Sequence, residues 1–425
     1  MPQIEPLRFL SPDRVRSIAA EFGTPVYVYD EDTLRESARQ VLNFPNAFGL
    51  TARFAMKANP NAAILRILTS TGLQIDASSG YEVERAMRAG VSPEKIMVSS
   101  QSLPHNLAEI VPLGVKINAT SLHHLEQFGK RFPGGAVGLR FNPGLGSGGT
   151  NRTNVGGPAS GFGIWYEQIE AAKAIAAHYK LRVLTIHTHI GSGSDPEVWQ
   201  RAARLSIRLL DHFPDAVTLN LGGGFKVGRM SAEKTTDLQQ VGAPVVEIFR
   251  DYARETGREI ELQIEPGTFL AANMGCIIAE VSTLAHTGSD GYLFYKLNCG
   301  MTEILRPSLY GAQHPLTVVS HDASSEAHER PIVSAIVVGH CCESGDILTP
   351  LPADPEGLAP RALHEAKAGD LMVIGGAGAY CAAMSSKNYN SFPEAAEVLM
   401  TSDGTDVLIR RRQTLEQMLQ NEISI

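Results

Sequence analysis

From Phe54 onward the chain alternates between two patterns: short unbroken apolar runs, and longer stretches in which apolar residues recur every three or four positions. The first reads as buried strands and the second as amphipathic helices. The strand candidates are RFAM (53–56), LQIDA (73–77), KIMVSS (95–100), VKINA (115–119), AVGLRF (136–141), LRVLTIHTHI (181–190), AVTLNLG (216–222) and EIELQIE (259–265). Between them lie helical stretches such as NAAILRILTSTG (61–72), YEVERAMRAG (81–90), NLAEIVPLG (106–114) and APVVEIFRDYARETG (243–257). The alternation implies parallel strands joined by crossovers. Eight βα units predict a closed (β/α)8 barrel of the TIM type, with an open doubly wound sheet as the alternative. Ser79 and Glu82 form a capping-box pattern, and Gly72, Gly90, Gly114 and Gly257 stand where helix C-terminal glycines belong.

After about residue 280 the pattern changes. VSTLA, YLFYKLN, LTVVS, IVSAIVVGH, LMVIG and EVLM are strand-like with no amphipathic helix between them, and TLEQMLQNEI reads as a terminal helix. The expected architecture is therefore an α/β barrel over 32–280 plus a C-terminal all-β domain, a sandwich or barrel, over 281–425. TPVYVYD (24–30) is also strand-like, and residues 1–31 are expected to join the β domain.

The 425 residues, 43% of them hydrophobic, can bury a large core, and the formal net charge of −8 argues against nucleic acid and anionic membranes as partners. No apolar run is long enough to span a bilayer, and MPQIEPLRFLSPDR has no signal-peptide core. Five cysteines without metal-like spacing suggest a reducing cytoplasm.

Functional residues of a barrel sit at the C-terminal ends of its strands. Those ends carry Lys57, Asp76, Arg140, His187 to His189, Gly222 to Gly224 and Glu265 to Gly267. Lys57 reads equally as a snorkelling lysine or as a desolvated one able to form a Schiff base. LGGGF (221–225) is either a tight turn or a backbone cradle for phosphate. In HTHIGSGS (187–194) two histidines share a strand face and suit stacking on a planar ring, with His187 reading as a core histidine satisfied by its neighbours. Glu265 needs a cationic partner, either a protonated pyridine nitrogen or a structural ion pair. A Schiff-base lysine, a phosphate cradle, a stacking ring and an acid for a ring nitrogen together are what pyridoxal phosphate requires. A phosphosugar or aldolase barrel would use only the first two.

The ordered motifs FAMKAN, DASSGYEVERA, HTHIGSG, LGGGF, EPGTFL, LRPSLYGAQHP, CCESGD, AGAYCAAMSS and LIRRRQTLEQML cover nearly the whole chain. On them the chain resembles the barrel-fold, alanine-racemase-like pyridoxal-phosphate decarboxylases, most closely the branch acting on meso-diaminopimelate. The resemblance implies a carboxy-lyase releasing CO2 and L-lysine, a small amino-acid substrate, and a cytoplasmic homodimer with shared active sites. It implies that Lys57 carries the cofactor, His189 stacks on the ring and Glu265 meets the ring nitrogen, with Asp76 nearby. Ser192, Gly222, Gly223, Gly224, Gly267, Thr268 and Tyr380 would hold the phosphate. Arg306 and Tyr310 would bind a substrate carboxylate. Cys342 would donate a proton and Glu343 bind the distal ammonium, both from the partner subunit.

Three features depart from the family's pattern. Thr268 follows E-P-G where arginine is usual, which opens a related decarboxylase acting on another amino acid as the alternative. His340-Cys341 precedes Cys342 where proline and an apolar residue are common. Lys387 interrupts the S-N-Y-N run.

Overall fold

The computed structural model describes residues 4–145, 156–189 and 195–423. The chain divides into two compact units, one of Arg35–Val227 with Lys234–Leu270, the other of Met1–Leu34, Gly228–Glu233 and Ala271–Ile425. The first boundary thus follows residue 34 and the last precedes residue 271, where the sequence expectation placed them at 31 and 280.

The first unit is a closed parallel barrel. Its eight strands are Leu50–Ala55, Gln74–Ala77, Ile96–Ser99, Lys116–Ala119, Ala136–Asn142, Arg182–His189, Thr218–Gly222 and Glu261–Ile264. Each of the eight predicted runs forms one of these strands. The ring closes where Leu262 pairs with Leu50 and where Asn118 pairs with Gly138, so the open-sheet alternative is set aside. Each strand is short and buried on both faces, which is why it reads as an unbroken apolar run. A two-residue strand, Ile164–Trp165, is added beside the fifth.

The helices start where side-chain oxygens can take their free N–H groups. Ser79 Oγ accepts from Glu82 N at 3.1 Å, and Glu82 Oε2 accepts from Ser78 N at 2.7 Å. The reciprocal bond thus reaches one residue before the cap. Two helices differ from expectation. The stretch 106–114 keeps only Leu107–Ile110. The helix expected from residue 243 begins at Leu238, capped by Asp237, and carries Pro244 inside it.

The second unit is a mixed nine-stranded sheet. Val26–Asp30 lies inside it, antiparallel to Gly275–His286 and parallel to Ala396–Met400. The predicted strands correspond to Gly275–His286, Leu293–Leu297, Leu316–Val319, Ile332–Val338, Leu371–Ile374 and Ala396–Met400. The unit also contains a helix, Pro12–Phe22, whose Val15 and Ile18 pack into the core with Val26, Val28, Ile278 and Val398. The terminal helix is Leu415–Leu419. Among the described residues no helix is long and apolar enough to cross a membrane.

Candidate active site

The C-terminal mouth of the barrel gathers the charged residues that its strands deliver. Lys57 sits two residues past its strand, on the single turn Met56–Ala58, and is exposed. Its charge is felt at Asp76, Glu82 and His189. Asp76 closes on the second strand and is 3% exposed, and its Oδ1 is buried without a hydrogen-bond partner. Burial first, then the charge of Glu265, pushes the Asp76 carboxyl well above the usual carboxylate range.

Glu265 behaves in the opposite way. Burial alone would raise it, but His187, His189 and the Asn220 amide outweigh that and hold it below its ordinary value. Asn220 Nδ2 donates to Glu265 Oε1 at 2.6 Å, and His187 Nε2 lies 3.3 Å from Oε2, a charge contact without hydrogen-bond alignment. The two neighbouring buried carboxyls are thus pushed apart, Glu265 towards the charged form and Asp76 towards the protonated one.

His189 ends the sixth strand. Arg140 Nη2 lies 3.3 Å from His189 Nδ1. A guanidinium can only donate, so Nδ1 is the acceptor and the ring proton is on Nε2. Burial, then Arg140 and Lys57, drive the His189 imidazole well below its ordinary value, so the ring is neutral. Arg140 itself stands over the Phe162 ring at 5.2 Å. His187 is 1% exposed, with Nδ1 3.3 Å from Asn118 Nδ2. It is a buried histidine held among its neighbours, one of which is Glu265.

Gly222, Gly223 and Gly224 are buried directly after the seventh strand. A Cβ on Gly222 would meet His187 Nε2 at 2.3 Å and Glu265 Oε2 at 3.1 Å, so only glycine lets the backbone pass this close to the charged pair. Thr268 follows the buried Gly267 and opens the short helix Thr268–Ala271. Ser192 lies outside the described residues.

The remaining predicted residues belong to the β unit. Arg306 opens the helix Arg306–Tyr310 and stands over the Tyr310 ring at 5.9 Å. Tyr380 has φ 57°, a left-handed conformation uncommon for an aromatic residue. Cys342 and Glu343 are exposed on a separate turn. That turn is fixed by Asn390 Oδ1, which accepts from Cys342 N at 2.7 Å, and by Asp346, which accepts from Cys341 N and Met301 N. His340 stacks on Phe392 at 3.6 Å, and its Nε2 lies 2.6 Å from Thr302 Oγ1. Lys387 pairs with Glu394 at 2.6 Å.

Sequence reasoning passed over Asn118 and Asn220. Both are polar residues inside otherwise apolar barrel strands, and that break in the pattern is the signal that could have found them.

A model of the pyridoxal-dependent decarboxylases, describing their pyridoxal binding domain, matches residues 34–272. Diaminopimelate decarboxylase of Escherichia coli (strain K12) is 36% identical over 420 residues, covering 97% of either chain. A crystal structure of diaminopimelate decarboxylase superposes with TM-score 0.90 at 35% identity, covering 97% of this chain and 96% of that one. The Helicobacter pylori diaminopimelate decarboxylase, in complex with L-lysine, superposes with TM-score 0.80 at 25% identity over 95% of this chain and 98% of that one. With that barrel, that mouth and relatives matched along nearly their whole length, the chain belongs to the diaminopimelate decarboxylase family of pyridoxal-dependent decarboxylases.

Proposed function

We propose that the protein decarboxylates meso-diaminopimelate to L-lysine. The observation that carries the reading is the barrel mouth, where the buried Glu265, held by Asn220 at 2.6 Å and 3.3 Å from His187, neighbours the buried Asp76 within reach of the charge of Lys57. A buried anionic carboxylate calls for a cation, and a protonated pyridine nitrogen supplies one.

Pyridoxal phosphate, when bound, supplies an electron sink conjugated with the substrate Cα. The residues' parts in this reading follow from their chemistry. Lys57 Nζ holds the cofactor covalently. Glu265 keeps a proton on the ring nitrogen, which deepens the sink. His189, being neutral, offers a ring face without adding charge that would compete with Glu265. Gly222 to Gly224, Gly267, Thr268 and Tyr380, with Ser192, hold the phosphate. Arg306 and Tyr310 bind the carboxylate that is not lost. Cys342 delivers a proton to Cα, and Glu343 holds the distal ammonium. Both are exposed in this chain, which suits residues that serve a second copy, so the working enzyme in this reading is a homodimer. The five cysteines are all free thiols, which suits a reducing cytoplasm.

Thr268, where the family usually has arginine, favours a second reading, a decarboxylase for another amino acid. The test is to record the visible spectrum of the purified enzyme, then supply meso-diaminopimelate and measure lysine and CO2. A visible band and stoichiometric lysine are expected. No band overturns the cofactor assignment, and a band without lysine overturns the substrate, which a panel of basic amino acids would then replace. Lys57→Ala should lose the borohydride-reducible adduct, located by mass spectrometry. An adduct on another lysine would reassign the anchor.

A further inference from the structure

The segment Gly228–Glu233 leaves the barrel and is built into the β unit. It is held there by Arg8, which donates to the carbonyls of Gly228 and Arg229, by Asn273 Nδ2 on Gly228 O at 3.0 Å, and by Glu5 on Ser231. So many tethers on six residues fix one side chain in place, that of Arg229.

Arg229 is 8% exposed, and its Nε donates to Gly376 O at 3.0 Å. Gly376 has φ 65°, and a Cβ there would meet Arg229 Cγ at 2.8 Å and Cδ at 2.9 Å, so the stem lies directly on a turn only glycine can make. The adjacent carbonyl, Gly375 O, is 2.9 Å from Nδ1 of His314, which is 0% exposed. Two side chains are thus clamped by consecutive carbonyls. Each keeps one buried nitrogen without a partner, Nη2 of Arg229 and Nε2 of His314. Arg306 adds a third, its Nε.

Among the described residues no carboxylate forms an ion pair with Arg229 or Arg306. Glu233, the acid beside Arg229, accepts instead from the backbone N–H groups of Arg229 and Met230 at 2.8 and 3.2 Å. Arg361 lies near enough to act on His314 and brings more positive charge. Burial, then the charge of Arg306, disfavours the Arg229 cation, and burial with Arg229 and Arg306 keeps His314 neutral. A buried guanidinium with a spare Nη2, within electrostatic reach of the half-buried Arg306 and its spare Nε, forms a site prepared for an oxyanion.

We propose that Arg229 is a specificity-determining residue that joins Arg306 in a two-guanidinium subsite for the carboxylate the substrate retains. The assignment rests on the substrate reading above, and it supplies a cation for a chain with threonine at position 268. The anion could in principle be a carboxylate or the cofactor phosphate, and the experiment separates them. Wild type, Arg229→Gln and Arg229→Lys are compared by calorimetric titration with L-lysine and with heptanedioate, by titration of the apoenzyme with pyridoxal phosphate, and by KM for meso-diaminopimelate. Loss of one charged hydrogen-bonding partner is expected to weaken L-lysine and heptanedioate roughly 10- to 100-fold in Arg229→Gln, with KM rising alike. Arg229→Lys should fall between, because it keeps the charge and loses the fork. Cofactor affinity should stay within about twofold of wild type, since a single lost charged contact would cost more than that. Weakened cofactor affinity with unchanged carboxylate affinity would overturn the proposal in favour of phosphate, and unchanged affinities throughout would overturn it outright. If Arg229→Gln does not fold, Arg229→Lys decides by the same criteria. A wild type that makes no lysine refutes the substrate reading alone, because the heptanedioate titration still tests the subsite.

Discussion

Glu303 shows how a single side chain sets a pH response. It is 1% exposed, and its Oε2 accepts from Gly300 N at 3.1 Å and Thr302 Oγ1 at 2.7 Å, with His340 Nε2 at 3.7 Å. Burial raises its carboxyl from an ordinary 4.5 to about 7, while burial lowers His340 to about 4. An acid raised in the folded state grips its proton more tightly when folded. Its contribution to stability is complete below pH 4.5 and is lost as pH climbs through about 7, a change of about 3 kcal/mol. His340 stays neutral across most of that window and does not cancel the effect. The urea midpoint should therefore drop between pH 5 and 8, and Glu303→Gln should remove that part of the decline. At this scale the sequence was legible where chemistry coincides with a strand end, as for Asp76, His189 and Glu265. It was not legible where a charge state depends on neighbours distant in sequence. Nothing in DASSG says that the Asp76 carboxyl is raised, because burial in the barrel and the acid at position 265 raise it. The lysine in FAMKAN was expected to be desolvated as one of two options, yet it is exposed on a turn beyond its strand.

Among the elements, the loop after the seventh barrel strand depends on an aromatic anchor. Phe225, 0% exposed, stacks on Trp199 at 4.9 Å and packs against Phe44 at 5.4 Å and edge-on to Phe269 at 6.2 Å. Phe225→Ala should lower stability by roughly 3–5 kcal/mol, read from denaturation. It should also weaken cofactor binding, read by titration, because Gly222 to Gly224 lose the residue that pins them. The eight barrel strands were readable because buried parallel strands are apolar throughout. The strands Asp354–Leu358 and Arg361–His364 were not, since they carry few apolar residues and are partly exposed, and Asp406–Arg410 has an apolar run of only three. The long helix was expected to span 243–257, whereas its N-cap, Asp237, stands earlier. Ser11 followed by Pro12 is a sound start signal for Pro12–Phe22, and it went unread.

For the whole molecule, the proposed assembly makes a quantitative demand. Lys57 lies in the barrel unit and Cys342 in the β unit. If a working site takes Lys57 from one copy and Cys342 from another, mixing inactive Lys57→Ala and Cys342→Ala chains after dissociation should restore up to about a quarter of wild-type activity, since random pairing leaves one intact site in half of the dimers. No recovery would mean that each chain completes its own site. Arg229 was the least legible residue of all, because it rides on six residues that depart from one unit to join the other.

The strand Val26–Asp30 has a consequence for how the protein is made. Its neighbours in the sheet are not translated until the ribosome has passed residues 278 and 396. Every residue of the barrel emerges before the second of those neighbours does. The first strand out of the exit tunnel must therefore wait until residue 278 is made for its first partner edge and until residue 396 for its second. A premature stop just upstream of Ala396 would leave the second edge open permanently, so such a product should be found in aggregates or bound to chaperones rather than as a trimmed enzyme.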